Sequence, residues 1–388
     1  MKLGFYYHTS ISCLNGELCL PGFVGIFLEE LARQCELLVL VLHEAGREEN
    51  EINSYRLRAQ NIEWINLGPK RPAWHRTIFH HKTLVGLEEQ LNVDQFILRS
   101  PSPLAPYFRT LPRLRNRICY MVISDYSIGA NNMKLDSIRN IGVYLYLKFV
   151  HWQFLRCLRG RKVVVNSKAL YRSLKKVTKD LHEIRTTTLR KSDFYRRDDT
   201  CQGTAIKLLF TGRLVLEKGL AELVQAGIKL YGDFPNLEVH MVGWEEKGGR
   251  AVQNQLLALV KGTPMEGRLI FHGKKEVGNE LNAIYRSADV YVIASYFEGF
   301  PRTIWEAMAN SLPVVASRVG AIPDYLENGK DAMLVDPKNI GQLIGAIASI
   351  INDQELRRRL ITNGLNKANR NLLDRNVQKF VALLERSS

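Results

Sequence analysis

The sequence predicts an α/β protein made of two doubly wound domains, and three observations carry that reading. Short apolar runs recur along the chain, separated by segments of helical period. Several are nearly continuous ("LLVLVL", "YVIA", "PVVA"), as expected for strands covered on both faces. The alternation pauses once, in the polar, turn-prone stretch "LRKSDFYRRDDTCQGTAIK" at 189–207. Finally, 388 residues with 46% hydrophobic content are long for one domain and comfortable for two.

Taken in order, the first half offers strands near 2–7, 37–43, 62–67, 95–99, 118–124 and 162–166. The second half offers them near 206–211, 237–242, 268–272, 289–294, 313–316 and 332–335. Helices are expected at 24–35, 103–115, 142–158, 217–231, 277–287, 302–310 and 339–351. Strand–helix alternation implies parallel sheets with right-handed crossovers. The expected division is a first domain at 1–192, a linker at 193–205, a second domain at 206–370 and a final helix at 371–388 that could pack back on the first domain. Open α/β sheets bind ligands beyond the carboxyl ends of their strands, so two such edges facing each other would make a cleft.

"MKLGFYY" reads as an opening strand rather than a signal peptide, because no apolar run follows its lysine. The six cysteines are scattered, with no Cys-x-x-Cys pair and no zinc spacing, which suggests free thiols in a reducing, cytoplasmic setting. His80, His81 and His151 lack ligand spacing. Charge is uneven: residues 1–195 hold 29 Lys and Arg against 17 Asp and Glu, and residues 196–388 hold 25 against 22. From Ser137 to Lys179 there are 11 basic residues and no acidic one, interleaved with Tyr144, Tyr146, Phe149, Trp152 and Phe154. Such a patch suits a polyanion, and a basic aromatic helix reads as one that lies on an anionic membrane surface. The stretch 141–162 carries Lys148 at its middle and is too short to span a bilayer.

Chemistry is most legible in the second half. "LLFTGRLVLEKGLAELVQA" (208–226) is a strand, a glycine turn at Gly212 and a helix, with Arg213 and Lys218 between them. Two cations at the carboxyl edge of a strand suit an anion, and a helix N-terminus adds partial positive charge. No Walker P-loop is present. "YFEGFPRTIWEAMANSLPVVAS" (296–317) places Glu298 in a loop and Glu306 eight residues on, with Pro301 expected at the first helical position. The two carboxylates could then bracket a ligand over the helix start. The N–H groups of Gly299, Phe300, Arg302 and Thr303 would point to a phosphate, and Ile304 would lie on the same turn. The alternative is an acidic cap followed by an ordinary amphipathic helix.

"FTGRL…EKGL" and "FHGKKE…ELNAIYRSADVYVIASYFEGFPRTIWEAMANSLPVVASRVGAIPDYLENGKDAMLVDP" resemble the C-terminal half of glycosyltransferases of the GT-B fold, family 4. The motifs run in the family's order over about residues 206–337. The resemblance implies two Rossmann-like domains facing across a cleft and a retaining enzyme that uses a nucleotide-sugar donor. It implies that Arg213 and Lys218 hold the donor diphosphate, Glu298 faces the sugar and Glu306 accepts from the ribose. The backbone at Gly273 and Lys274 would lie near the base. Charge that builds on the leaving diphosphate would meet fixed cations and helix N–H groups, so no metal is expected. No Asp-x-Asp at a strand end suggests the metal-dependent GT-A class. Many relatives read Glu-Gly-Phe-Gly where this chain has Pro301, which removes one N–H and leaves donor identity open.

The first half matches the family's acceptor side less fully. Gly22 and Gly25 follow the first strand at the position of the family's glycine-rich loop; the plain alternative is a βα turn. Many relatives carry a His near the reacting sugar, whereas this sequence has none between His81 and His151. Asp125 could take that polar or basic role, or simply cap the next segment. The expected activity is transfer to a glycan or lipid-linked glycan acceptor in bacterial polysaccharide synthesis, at the inner membrane face, with no nucleic-acid partner. The rivals are an epimerase or phosphorylase on the same fold, and a non-catalytic polyanion-binding protein.

Overall fold

A computed structural model describes residues 1–14, 16–46, 50, 53–79, 84, 86–124, 136–245 and 249–386. The chain divides into two compact units. The first is Met1–Thr186 with Leu373–Ser388, and the second is Thr187–Leu372.

In the first unit the strands are β1 (Lys2–Leu14), β2 (Glu17–Leu20), β3 (Leu37–Glu44), β4 (Tyr55–Arg56), β5 (Ile62–Pro69), β6 (Gln95–Ser100), β7 (Ile118–Val122), β8 (Lys162–Val165) and β9 (Leu181–Glu183). Among the described residues the parallel order is β5-β3-β1-β6-β7-β8-β9. The order reverses between β1 and β6, which makes that point a crevice at the carboxyl edge. β1 outruns the expected strand. Its far end, Ser12–Leu14, turns into an antiparallel ladder with β2, which pairs in turn with β4. Gly22 and Gly25 therefore follow the hairpin strand β2, which passes through Pro21 into the helix Gly22–Ala32 where both lie, so the βα turn is the one after β2. A Cβ on Gly25 would fall 2.3 Å from the Tyr55 ring, so close packing of β4 explains that glycine.

Where one helix is expected at 103–115, only Ala105–Phe108 is helical, and turns follow it. The helix Leu373–Glu385 belongs to the first unit. It packs on Gly22–Ala32, with Lys162 Nζ donating to Leu383 O at 2.6 Å.

The second unit has β10 (Ile206–Thr211), β11 (Leu237–Val242), β12 (Leu269–Phe271), β13 (Val290–Ile293), β14 (Val314–Ser317) and β15 (Met333–Val335). They form one parallel sheet in the order β12-β11-β10-β13-β14-β15, which reverses between β10 and β13. Leu208, Leu209, Val290, Tyr291, Val314 and Val315 are wholly buried, which accounts for the unbroken apolar runs.

The stretch expected as a linker, 193–205, is instead bound along the second unit. Its polar residues serve as anchors. Arg197 donates to Arg286 O at 3.0 Å and Ala288 O at 2.6 Å. Asp289 receives Cys201 N at 2.7 Å and Lys207 N at 2.9 Å. Asp199 accepts from Arg357 at 2.7 Å. Burial works to raise the Asp199 pKa, but hydrogen bonds from Arg357 and Gln354 outweigh it and hold the carboxyl at about 2.

Candidate active site

The carboxyl ends of β10 and β13 flank the reversal of strand order in the second unit, and the sequence motifs converge there. After β10, Gly212 N donates to Val242 O at 2.9 Å and Leu214 N to Trp244 O at 2.8 Å. Gly243 N donates to Gly273 O at 2.9 Å. These bonds lace the ends of β10, β11 and β12 together. Exposed Arg213, Trp244 and Lys274 thus share one edge, with the Lys274 ammonium 5.8 Å from the Trp244 ring centroid.

Lys218 closes a short 3-10 turn, Leu216–Lys218, ahead of the helix Leu220–Leu230. Its ammonium binds Glu298 Oε1, and Ser295 Oγ donates to the same oxygen at 2.8 Å. Lys218 retains 20% side-chain exposure and Glu298 10%. The loop that carries Glu298 is braced on both sides. Tyr296 N donates to Glu217 O at 2.9 Å, and Ala321 N to Gly299 O at 2.8 Å. Two left-handed glycines make this approach possible. A Cβ on Gly219 would lie 2.1 Å from Ala294 O, and one on Gly320 would lie 1.7 Å from Glu298 O.

Pro301 is the residue before the helix Arg302–Ala309, not its first residue as expected. Its extended backbone (φ −72°, ψ 123°) ends the loop, and it has no side chain with which to cap the first turn. No acidic residue sits in that turn either. The N-terminal N–H groups therefore keep their affinity for an anion. Ile304 does not share in this, because its side chain is fully buried and its N donates to Pro301 O at 3.2 Å. Phe300 stacks on Trp305 with ring centroids 4.5 Å apart and meets Tyr325 edge-on at 5.2 Å, so it anchors the loop to the core. Thr303 turns its hydroxyl oxygen inward.

Glu306 is 8% exposed and already engaged. Thr188 Oγ1 donates to its Oε1 at 3.2 Å and Tyr285 OH to its Oε2 at 3.1 Å. The Tyr285 oxygen also lies 2.7 Å from Thr211 Oγ1. Burial first, and then the Glu306 charge, push the Tyr285 pKa well above its ordinary value, so the phenol stays a donor. Glu306 can accept from a further hydroxyl only through the second lone pair on each oxygen. Sequence reasoning missed Thr188, Tyr285 and Ser295. The one available signal was that a buried tyrosine needs a partner for its hydroxyl. Asp125 lies outside the described residues. Gly22 and Gly25 belong to the first unit, whereas this cluster belongs to the second.

Residues 191–367 match the model of the family Glycosyl transferases group 1. D-inositol 3-phosphate glycosyltransferase from Corynebacterium glutamicum is 32% identical over 153 residues, which is 39% of this chain and 36% of that protein. The chain spans about two fifths or less of the length of the first curated relatives it matches. Among solved structures, sucrose-phosphate synthase from Thermosynechococcus elongatus aligns with TM-score 0.76 and 18% identity, covering 99% of this chain and 98% of that one. Anabaena HepE, solved with UDP-glucose, aligns with TM-score 0.72 and 16% identity, covering 98% and 99%. At such identities the likeness shows the fold. The family match lies within the second unit, and the two Rossmann-like units together have the GT-B fold of these glycosyltransferase structures.

Proposed function

We propose that the protein is a retaining glycosyltransferase that moves a sugar from a nucleotide-sugar donor to a glycan or lipid-linked glycan. The observation that carries the reading is the meeting of Lys218, Glu298 and an uncapped helix start where the strand order reverses. A diphosphate suits that meeting point. Its charge would draw on Lys218, Arg213 and the N–H groups of Gly299, Phe300, Arg302 and Thr303, and Glu298 would turn to the sugar hydroxyls. UDP is the nucleotide of choice, since one structural neighbour was solved with UDP-glucose.

In the reaction the bond from the anomeric carbon to the diphosphate oxygen breaks. A bond from the same carbon to the acceptor oxygen forms on the same face. The acceptor proton passes to the leaving phosphate oxygen. Fixed cations and N–H groups take up the charge that develops there, the role a metal ion would otherwise fill. On this reading turnover survives EDTA. The deciding experiment is a thermal-shift screen of UDP, GDP and ADP, then their sugars. Arg213→Ala and Lys218→Ala should each abolish the shift, and a shift unchanged in both sinks the diphosphate assignment. NMR of the product anomer tests retention.

The acceptor side is proposed to work at an anionic membrane surface on the cytoplasmic side. The helix Ile138–Leu158 supports this with two apolar faces. Val150, Phe154, Cys157 and Leu158 face the core. Ile138, Ile141, Leu145, Phe149 and Trp152, spaced by three and four residues, form an exposed stripe on the opposite side. The Arg156 guanidinium lies 4.7 Å from the Trp152 ring centroid. No helix among the described residues is long and apolar enough to cross a membrane. Flotation with phosphatidylglycerol vesicles at low salt tests the idea, and protein left at the bottom of the gradient would sink it.

A further inference from the structure

The first unit has its own reversal of strand order, between β1 and β6, and buried positive charge collects there. β1 pairs with β6 only over Leu3–Tyr6, and its pairing with β3 shifts register between Tyr6 and Ser10. His8 lies in that irregularity, a feature that re-aims side chains next to sites. Arg76 comes from the short helix Ala73–Ile78 that follows β5. It is 6% exposed, and its Nε and Nη1 meet no hydrogen-bond partner among the described residues. His8 Nδ1 is likewise buried without a partner among them. Arg99, at the end of β6, is 7% exposed and lies 4.4 Å from the Tyr7 ring centroid. Tyr6 OH and Ser102 Oγ, 2.9 Å apart, complete the rim.

Burying a guanidinium with unused N–H groups is costly, and buried charges are ordinarily paired. Burial first, then the charges of Arg76, Lys70 and Arg99, lower the His8 pKa to about 4. The geometry points to a binding site for a phosphoryl group, held by Arg76 within the field of Lys70 and Arg99. His8, whose ring already donates to Pro101 O, adds a donor at Nδ1 once the charge of the bound phosphate lets the ring take up a proton. A phosphate monoester carries the double charge that so many converging cations suit, and it accepts hydrogen bonds on three oxygens. The assignment of this group to the sugar acceptor rests on the glycosyltransferase reading; the anion site itself does not.

Thermal shift against inorganic phosphate tests it, in a chain that also carries Arg213→Ala and Lys218→Ala to remove the cations of the second unit. Phosphate should still raise Tm in that background. Adding Arg76→Met should weaken phosphate binding about tenfold to hundredfold, as expected for lost hydrogen bonds to a charged group. Without phosphate, Arg76→Met should hold or raise Tm, because it removes an under-bonded buried charge. His8→Gln is the second variant and should weaken phosphate binding in the same direction. In the unsubstituted protein, phosphate should shift the His8 ring signals in NMR. Repeating the titration with glucose 6-phosphate and with a water-soluble short-chain phosphatidic acid tells a sugar phosphate from a lipid phosphate. A phosphate response lost with Arg213 and Lys218 alone overturns the site. So does one untouched by both Arg76→Met and His8→Gln. A surviving phosphate response, together with no UDP binding by the unsubstituted protein, would break the donor reading and leave this site standing.

Discussion

The carboxyl strand edges of the two units treat buried charge in opposite ways. At that edge of the second unit the buried cation meets its partner, Lys218 on Glu298, and at the opposite, amino edge Arg357 binds Asp199 and Lys367 binds Asp331. In the first, His8 stands among Arg76, Lys70 and Arg99, with unused donor capacity on Arg76. A paired edge is stable by itself and exchanges its partner for a ligand. A buried guanidinium whose Nε and Nη1 are unused among the described residues holds strain that an incoming anion relieves. The same doubly wound topology thus supports two different bargains between stability and binding.

The comparison can be pressed hardest at Lys218. Lys218→Ala should lower kcat/KM by about 10²–10³-fold, followed as UDP release, because a fixed cation at the diphosphate binds the donor and also meets the charge that builds on the leaving group. A rise in KM with kcat unchanged would confine it to ground-state binding. Acid should then separate the units. The His8 pKa lies at about 4 when folded, against 6.5 for an unperturbed histidine. Its contribution to stability is therefore full above about pH 6.5 and is lost as pH falls towards about 4, a change of roughly 3 kcal/mol. Denaturant melts should show this loss, and His8→Gln should flatten it; an unchanged slope would remove the strained-edge account.

Glu306→Ala is expected to cost about 2 kcal/mol in the second unit, since it strands the Tyr285 and Thr188 hydroxyls. If the melt is unmoved while UDP affinity falls, Glu306 serves the ribose and not the fold. The smallest effect is reserved for Gly25→Ala, about 1 kcal/mol from crowding of Tyr55. UDP affinity measured on the same variant tests the donor-site expectation for Gly25, which an unchanged value would remove.

The second sheet was readable from sequence because each strand is a short apolar run bounded by polar turns. Val290–Ile293 and Val314–Ser317 fall within a residue of the expected bounds. Short pieces escaped. Tyr55–Arg56 and Leu181–Glu183 are too brief for period to show, and they exist through pairing with neighbours. The stretch 193–205 looked like a linker because it is polar. Its Arg197 and Asp199 are polar in order to hold carbonyls and Arg357. Lys218 and Glu298 stood out through local motifs. His8, Arg76 and Arg99 lie far apart in sequence with no motif, and only the strand order brings them together.

The helix Leu373–Glu385 has a bearing on how the chain is made. The second unit is continuous, from Thr187 to Leu372, so all of it has been synthesised before that helix emerges. The first unit is not: Gly22–Ala32 waits for a partner encoded some 340 residues later, and the helix brings Val377, Phe380, Val381 and Leu384 into burial. Since chains emerge N-terminus first, the unit made first is the one that finishes last. An apolar helix face stays uncovered until the whole second unit has been made, and the first unit is completed by a helix encoded after the second.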